Sequence, residues 1–441
     1  MTGSANRLAL NLSIKAAGNH PAAWRHSWTD GADVNNIDAL LALATRADEA
    51  GVDALFLADK LAISTDRATA PMVYEPVSLL GAMAAVTRRI GLIGSISTTF
   101  SHPFTVARQT ASLDHISGGR LGWNIVTTGV QAAARNYGLA ELPTHAGRYQ
   151  RAHEFLAAIT ALWESWGVDA VLCDAASGTF VDPDAIRPVD HAGEEFTIAG
   201  PLNSPRPPQG WPVLVQAGGS PSGRDLAARW ADSVYTVAGD IDDAREFYRD
   251  VKSRAAHYHR APESIRIMTG FRVLVAKTSE AARQADTELA ALADPRQVLR
   301  QLALISSVNL DVEDLDQPVP PLPDPAESEG YRTHLEALHN LVRTRQPGSI
   351  RELAQQLDGG FGWDNRLVGD AAEVADVFEE WLEAGATDGI NLGTEILHGG
   401  AEAVFTELIP ELERRGLRAQ AADQSDGTLR ERYGLPRRDR P

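Results

Sequence analysis

Apolar positions in the first third of the chain switch between two periods. Residues 8–14 form an apolar run of the length of a buried parallel strand. Residues 37–50 carry the helical period, and Gly51 follows as a terminator. The alternation then repeats. Residues 53–58 predict a strand, 75–87 a helix opened by Glu75 and Pro76, 90–96 a strand, 104–116 a helix stopped by Gly118 and Gly119, and 121–126 a fourth strand. Strands that alternate with helices across short connections predict right-handed crossovers and a parallel sheet.

A long helix is predicted from about residue 148 to 166, with Phe155, Leu156, Ile159, Leu162, Trp163 and Trp166 on one stripe. Residues 168–210 are rich in Pro, Gly and Asp and predict hairpins and loops over one end of the molecule. The alternation resumes with strands at 212–216, 233–237 and 267–276, and with helices at 222–231 and 241–257. Residues 279–367 are too many for a simple crossover, and the prolines from 318 to 325 predict a loop within that insertion. A helix at 374–384, ended by Gly385, precedes a last strand at 388–392. The strands number eight, so the predicted fold class is α/β, a (β/α)₈ TIM barrel with insertions. One barrel over residues 1–419 is expected, with a polar tail at 420–441 that either docks or is disordered.

Composition narrows the partners rather than the fold. The 441 residues carry 41 basic and 59 acidic side chains, a formal charge of −18 spread along the chain. That field repels phosphate backbones and anionic bilayers, so neither nucleic acid nor membrane is an expected partner. Cys173 is the only cysteine, which forbids an intrachain disulfide and suits a reducing compartment. No stretch has the apolar length of a membrane span or a secretory leader, so a cytoplasmic location is expected.

In a barrel of this type the chemistry sits at the carboxyl ends of the strands. There the sequence places Asp59 after strand two, Ser97, Thr98 and Thr99 after strand three, and Asn124 with Thr127 at strand four. Each alone is compatible with a helix cap; three polar strand ends on one rim point to a site. Strand five runs into Ala217-Gly218-Gly219-Ser220-Pro221-Ser222-Gly223-Arg224 and then a helix. Free amides and a hydroxyl at a helix start suit a phosphate, and an ordinary capped turn would look the same. His145 and Tyr149 are four residues apart and share a face if the long helix starts early; they suit a clamp on a ring edge or phosphate, or a cap and surface pair. Trp24, Trp28, His20 and His26 cluster in the loop after strand one. His257 and His259 point apart on a helix and lack further ligands, so no metal is expected.

These segments resemble the nitrilotriacetate, EDTA and dibenzothiophene-sulfone monooxygenase family, a branch of the bacterial-luciferase-like flavin enzymes. The likeness rests on Phe56-Leu57-Ala58-Asp59, on the run from Ser112 to Arg120 continuing through Trp123-Asn124-Ile125-Val126-Thr127, and on Asn136-Tyr137-Gly138. Gly200-Pro201-Leu202-Asn203, Gln216-Ala217-Gly218 and Asp388-Gly389-Ile390-Asn391-Leu392 extend it over nearly the whole chain. The resemblance implies a two-component monooxygenase. A separate NAD(P)H:FMN reductase supplies FMNH₂, and this chain uses it with O₂, through a C4a-peroxyflavin, to oxidise a small organic substrate. By position, Asp59, Thr98 and Asn124 would meet the ring or ribityl chain, and His145, Tyr149, Gly219 and Ser220 the ribityl and phosphate end. His20 is the acid/base or substrate-contact residue this reading implies.

Three positions depart from the family pattern: Asn19 stands where a second histidine is common, Gly219 where serine is common, and Lys60 follows Asp59 directly. By analogy a homodimer or homotetramer is expected. The rival readings are a deazaflavin (F420)-dependent dehydrogenase on the same barrel, a non-redox barrel hydrolase, and a flavin-binding barrel without catalysis.

Overall fold

The computed structural model describes residues 7–63, 71–306, 308–310, 312–325, 332–357, 365–421 and 426–437. Its centre is a closed parallel barrel. The strands are Ala9–Ile14 (β1), Ala54–Leu57 (β2), Gly91–Ser97 (β3), Leu121–Val126 (β4), Val213–Gln216 (β5), Ser233–Thr236 (β6), Arg266–Val275 (β7) and Gly389–Thr394 (β8). Each pairs with its neighbour in chain order, and β8 closes on β1 with Asn11 opposite Asn391. The eight predicted strands are these eight.

Alternation along the strands decides what faces where. Leu10, Leu12, Leu55, Leu92, Ile390 and Leu392 turn outward into the largest apolar cluster, against helices Ile37–Glu49 (α1), Pro76–Val86 (α2) and Ala371–Glu383. The opposite parity brings Ala54, Phe56, Ile93, Val213 and Val215 together inside the barrel. Between β3 and β5 come helices Pro103–Ser117 (α3) and His145–Trp163 (α4). Pro221–Trp230 (α5) and Ile241–Ala255 (α6) follow on the next crossovers. Caps fix where helices start: Glu75 accepts from the N–H groups of Val77 at 2.9 Å and Ser78 at 2.6 Å, ahead of Pro76. After β8 the closing helix carries a π turn over Val404–Leu408, next to Pro410, which has no N–H to donate back to Thr406.

Three differences from the sequence reading concern the insertions and the long helix. Helix α4 starts at His145, because the Thr144 hydroxyl accepts from the Gly147 N–H and caps it there. Residues 168–210 do form two hairpins, Val171–Asp174 with Thr179–Val181 and His191–Ala192 with Thr197–Ile198, and the second packs against α3 and α4. Phe196, Ile198 and Leu202 bury against Phe155 and Trp163, and the Glu154 carboxylate accepts from the N–H groups of Glu194, Glu195 and Phe196. The second insertion holds a small helical cluster with its own apolar centre, including Leu299, Leu338 and Leu353. A ninth parallel strand, Asn365–Gly369, emerges from it and pairs with the second half of β7, where β6 has already ended.

Residues 426–437 of the C-terminal stretch dock across the amino end of the barrel. Leu429 packs where any Cβ on Gly91 would stand, and its N–H donates to the Gly119 carbonyl at 2.9 Å. The Tyr433 hydroxyl reaches up into the barrel and donates to Asn11 Oδ1 at 2.6 Å, fully buried. Replacing Tyr433 by phenylalanine strands that amide oxygen and is expected to cost about 1–3 kcal/mol of stability. A lowered midpoint in urea with an unchanged slope reports it, and an unshifted midpoint contradicts it.

Candidate functional site

The open end of the barrel is walled by the carboxyl ends of its strands. Asp59, just past β2, is half-buried; desolvation raises its carboxyl above the usual range and Glu75 adds to that, against an opposing bond from the Lys60 N–H. Thr98 stitches β3 to β4: its N–H donates to the Val126 carbonyl at 2.9 Å and its hydroxyl to the same oxygen at 3.3 Å. Its own carbonyl accepts from Arg151 Nε at 3.2 Å. Asn124 Nδ2 donates to Ser95 Oγ at 2.8 Å, which donates to the Leu57 carbonyl at 3.0 Å. That leaves Asn124 Oδ1 buried on the inward face of β4 with no hydrogen-bond partner among the described residues.

With α4 starting at His145, the rings of His145 and Tyr149 lie on one face, 4.8 Å apart. The turn after β5 meets the same place. The Gly218 N–H donates to Gln216 Oε1 at 2.8 Å, the Gly219 carbonyl accepts from Arg224 Nε at 2.9 Å, and Ser220 caps α5 by accepting from the Gly223 N–H at 3.2 Å. A Cβ on Gly218 would press into the Gln216 side chain and stand 2.9 Å from Gly223 Cα and 3.1 Å from the Tyr149 hydroxyl. Glycine is therefore required by space at 218. The structure brings Tyr149, His145 and the Gly218–Ser220 turn together, and Asp59, Thr98 and Asn124 occupy the adjoining rim.

His20 is 2 % exposed in the loop after β1. That loop is seated on the end of β8. The Asn19 N–H and Nδ2 both donate to the Thr394 carbonyl, at 2.9 and 3.0 Å, and the His20 N–H donates to the Glu395 carbonyl at 3.1 Å. Gly18, at φ +134°, brings the backbone against the Glu395 carbonyl, where a Cβ has no room. Nδ1 of His20 accepts from the Ala22 N–H at 3.1 Å, so the neutral ring carries its proton on Nε2, a buried donor with no partner among the described residues. Burial lowers the imidazole to about 4, with Arg272 and Arg366 opposing protonation and Glu395 and Asp286 favouring it.

Sequence reasoning missed the charges behind His20. Glu395 is completely buried, with Oε2 2.6 Å from an Arg272 terminal nitrogen and Oε1 2.8 Å from Arg366 Nε. Desolvation pushes its carboxyl up, but the two guanidinium groups and His20 outweigh this and hold it below the usual range. The signal was available: Gly389, Asn391, Gly393 and Glu395 alternate small and polar against Ile390 and Leu392, which carries strand parity past residue 392. Nothing in the sequence pattern marks Arg366, which sits on the strand that follows the insertion.

Trp24 is 40 % exposed, and His26 packs edge-on to Trp28 within 3.2 Å of Glu288. His257 and His259 lie in and after a single 3₁₀ turn, His259 in the left-handed region. Among the described residues no group of three His, Cys, Asp or Glu side chains is placed to hold a metal, and no helix is long and apolar enough to cross a membrane.

Comparison with known proteins adds an independent line. The family described as luciferase-like monooxygenase matches residues 18–388. The chain is 37% identical to N-acetyl-S-(2-succino)cysteine monooxygenase of Bacillus subtilis (strain 168), over 99% of this chain and 98% of that one. It is 36% identical to nitrilotriacetate monooxygenase component A of Aminobacter aminovorans, again over 99% and 98%. Among solved structures it resembles a riboflavin lyase crystallised with a modified FMN and riboflavin, at a TM-score of 0.85 and 29% identity, over 99% of this chain and 98% of that one.

Proposed function

Since this chain belongs to the luciferase-like monooxygenase family, we propose that it is the oxygenase of a two-component system. It takes FMNH₂ from a separate NAD(P)H:FMN reductase and uses O₂ to oxidise a small organic substrate. The observation that carries the reading is the convergence at one barrel end of the Gly218–Ser220 turn at a helix start, the His145–Tyr149 pair, and the Asn124 amide oxygen, which has no partner among the described residues. A buried acceptor without a partner among the described residues and a glycine turn at a helix start fit a long, polar, phosphorylated ligand.

In this reading the Ser220 hydroxyl, the Gly219 backbone and the amino end of α5 take the phosphate, with Tyr149 and His145 beside it. Asp59, Thr98 and Asn124 take the ring or ribityl chain. When bound, reduced flavin would supply the two electrons for O₂ reduction, with one oxygen atom going to the substrate and the other to water. The chain's own work is to bind, to orient and to exclude water. His20 contributes a hydrogen bond from Nε2 to an oxygen in the reacting group. The family relatives fit a component that works with a partner; the proposed location is the cytoplasm, and the proposed assembly is a homodimer or homotetramer.

The test is anaerobic titration of the purified protein with FMNH₂, followed by admission of O₂ and a substrate screen read by product. Binding of reduced FMN and an oxygenated product support the reading; no affinity for FMN in either redox state overturns it. A Gly218→Ala variant should push Tyr149 away from the turn. Overpacking of this kind costs about 1–3 kcal/mol, so FMN affinity is expected to fall about tenfold or more with the fold intact, as read by flavin-fluorescence quenching beside a thermal melt.

A further inference from the structure

We propose that the cluster of Glu395, Arg272, Arg366 and Asp286 is a charge-balanced ionic clamp that positions His20 and leaves burial to keep its ring neutral and protonated on Nε2. The proposal rests on the reading of His20 as a working residue at the barrel mouth.

Geometry carries it. Glu395 serves the loop with its backbone and the cluster with its side chain: the carbonyl holds the His20 N–H at 3.1 Å while the carboxylate grips Arg272 and Arg366. Those two arginines come from β7 and from the strand Asn365–Gly369, and Arg366 also binds Asp286 on the helix Ser279–Leu292. Four separate pieces of chain therefore meet behind one imidazole. The same helix holds the far part of the His20 loop, since the Leu292 carbonyl accepts from Arg25 at 2.7 Å and Glu288 lies 3.2 Å from His26. The insertion is thus fastened both to the loop that carries His20 and to the charges behind it.

The arrangement has a chemical consequence. A fully buried carboxylate near an imidazole would ordinarily draw a proton onto the ring. Here two guanidinium groups neutralise that carboxylate, so burial decides and the ring stays uncharged. The charged groups that act on His20 come from every side: Glu395 on β8 and Asp286 on the insertion helix favour imidazolium, while Arg272 on β7 and Arg366 on the neighbouring strand oppose it. An imidazole so held offers a stable N–H donor at neutral pH instead of a titrating base.

The clamp is tested by following the His20 ring resonances of isotope-labelled protein, assigned by their loss in a His20→Ala variant. At pH 5 the wild-type ring, with a midpoint of about 4, should be about one-tenth protonated. Arg366→Met removes an opposing charge and should raise that fraction severalfold, while Glu395→Gln should abolish it. Asp286→Asn is at a partly exposed position that tolerates exchange, so it is the variant to rely on if Glu395→Gln does not fold; it should lower the fraction. Arg366→Lys, which restores the charge, should return the fraction toward wild type. Opposite shifts on removing cations and anions support the clamp; an unmoved fraction, or shifts of one sign in every variant, overturns it. The readout is independent of turnover. If His20→Ala leaves product formation unchanged, the assigned role of His20 fails while the clamp can still be observed.

Discussion

Replacing His20 by alanine is expected to lower substrate oxidation about 100- to 1,000-fold while leaving the affinity for FMN unchanged. The loss is of the size seen when one preorganised hydrogen-bond donor is removed from a water-excluded site. The ring is 2 % exposed, the Ala22 N–H fixes Nδ1 as an acceptor, and Nε2 is a buried donor without a partner among the described residues. Burying such a group is costly unless a ligand completes the bond, so in the proposed reading a ligand oxygen is expected at that position. Without the donor, electrons from FMNH₂ should still reach O₂, and the flux should shift from oxygenated product to hydrogen peroxide. The ratio of peroxide to product, with a generic reductase supplying FMNH₂, reads this directly. Full coupling in the variant would remove His20 from the reaction.

The pH dependence separates a donor from a base. With its ring lowered from 6.5 to about 4 by burial, His20 is neutral across the range from pH 6 to 8. A donor role therefore predicts no acid limb from this residue near 6.5, and one only near 4. A limb between 6 and 7 that disappears in His20→Ala would instead identify a titrating base. Stability follows the same linkage. The unfolded ring binds a proton more readily than the folded one, so the contribution is present above about 6.5 and is lost as pH falls toward 4.

Most of the barrel was legible because its strands are buried on both faces and read as short apolar runs between helical periods. Residues 8–14, 90–96 and 121–126 illustrate this, and their observed bounds differ by one residue or coincide. Helix α4 began earlier than its apolar stripe because Thr144, a cap, precedes any core residue by several positions. The rim residues of the early strands were legible from their polarity at strand ends. The charges behind His20 were not, since Glu395 looks like a loop residue until the parity of β8 is followed, and its partners lie far away in sequence. Ion pairs of that kind are a property of the folded topology, which no local pattern encodes. The course of residues 168–210 was also hidden: turn-rich composition reports that a segment bends, not which surface Phe196 and Leu202 bury against.

At the opposite end of the barrel, Arg430→Met is expected to cost about 3–5 kcal/mol of stability. Both partners of this pair are inaccessible: the Arg430 side chain is 2% exposed and that of Asp232 0%, with a terminal nitrogen and Oδ2 at 2.7 Å. The guanidinium also donates to the carbonyls of Trp211 at 3.1 Å and Pro436 at 3.3 Å, so three segments are fastened to the C-terminal helix at once. Methionine fills much of the volume but leaves the Asp232 carboxylate with the Leu214 N–H at 3.1 Å and with Arg260 at 3.9 Å. That residual cation places the expected cost toward the lower end of the range. Removing the charge as well, in Asp232→Leu/Arg430→Met, should recover part of the loss, because a buried pair is weaker than its broken half is harmful. Denaturant midpoints for the three proteins check the ordering, and a double variant less stable than Arg430→Met would contradict it. FMN affinity should be unaffected below the melting range, since the C-terminal segment closes the amino end of the barrel and the rim residues line the other. A matching loss of FMN binding in folded Arg430→Met would mean that the two ends of the barrel are coupled.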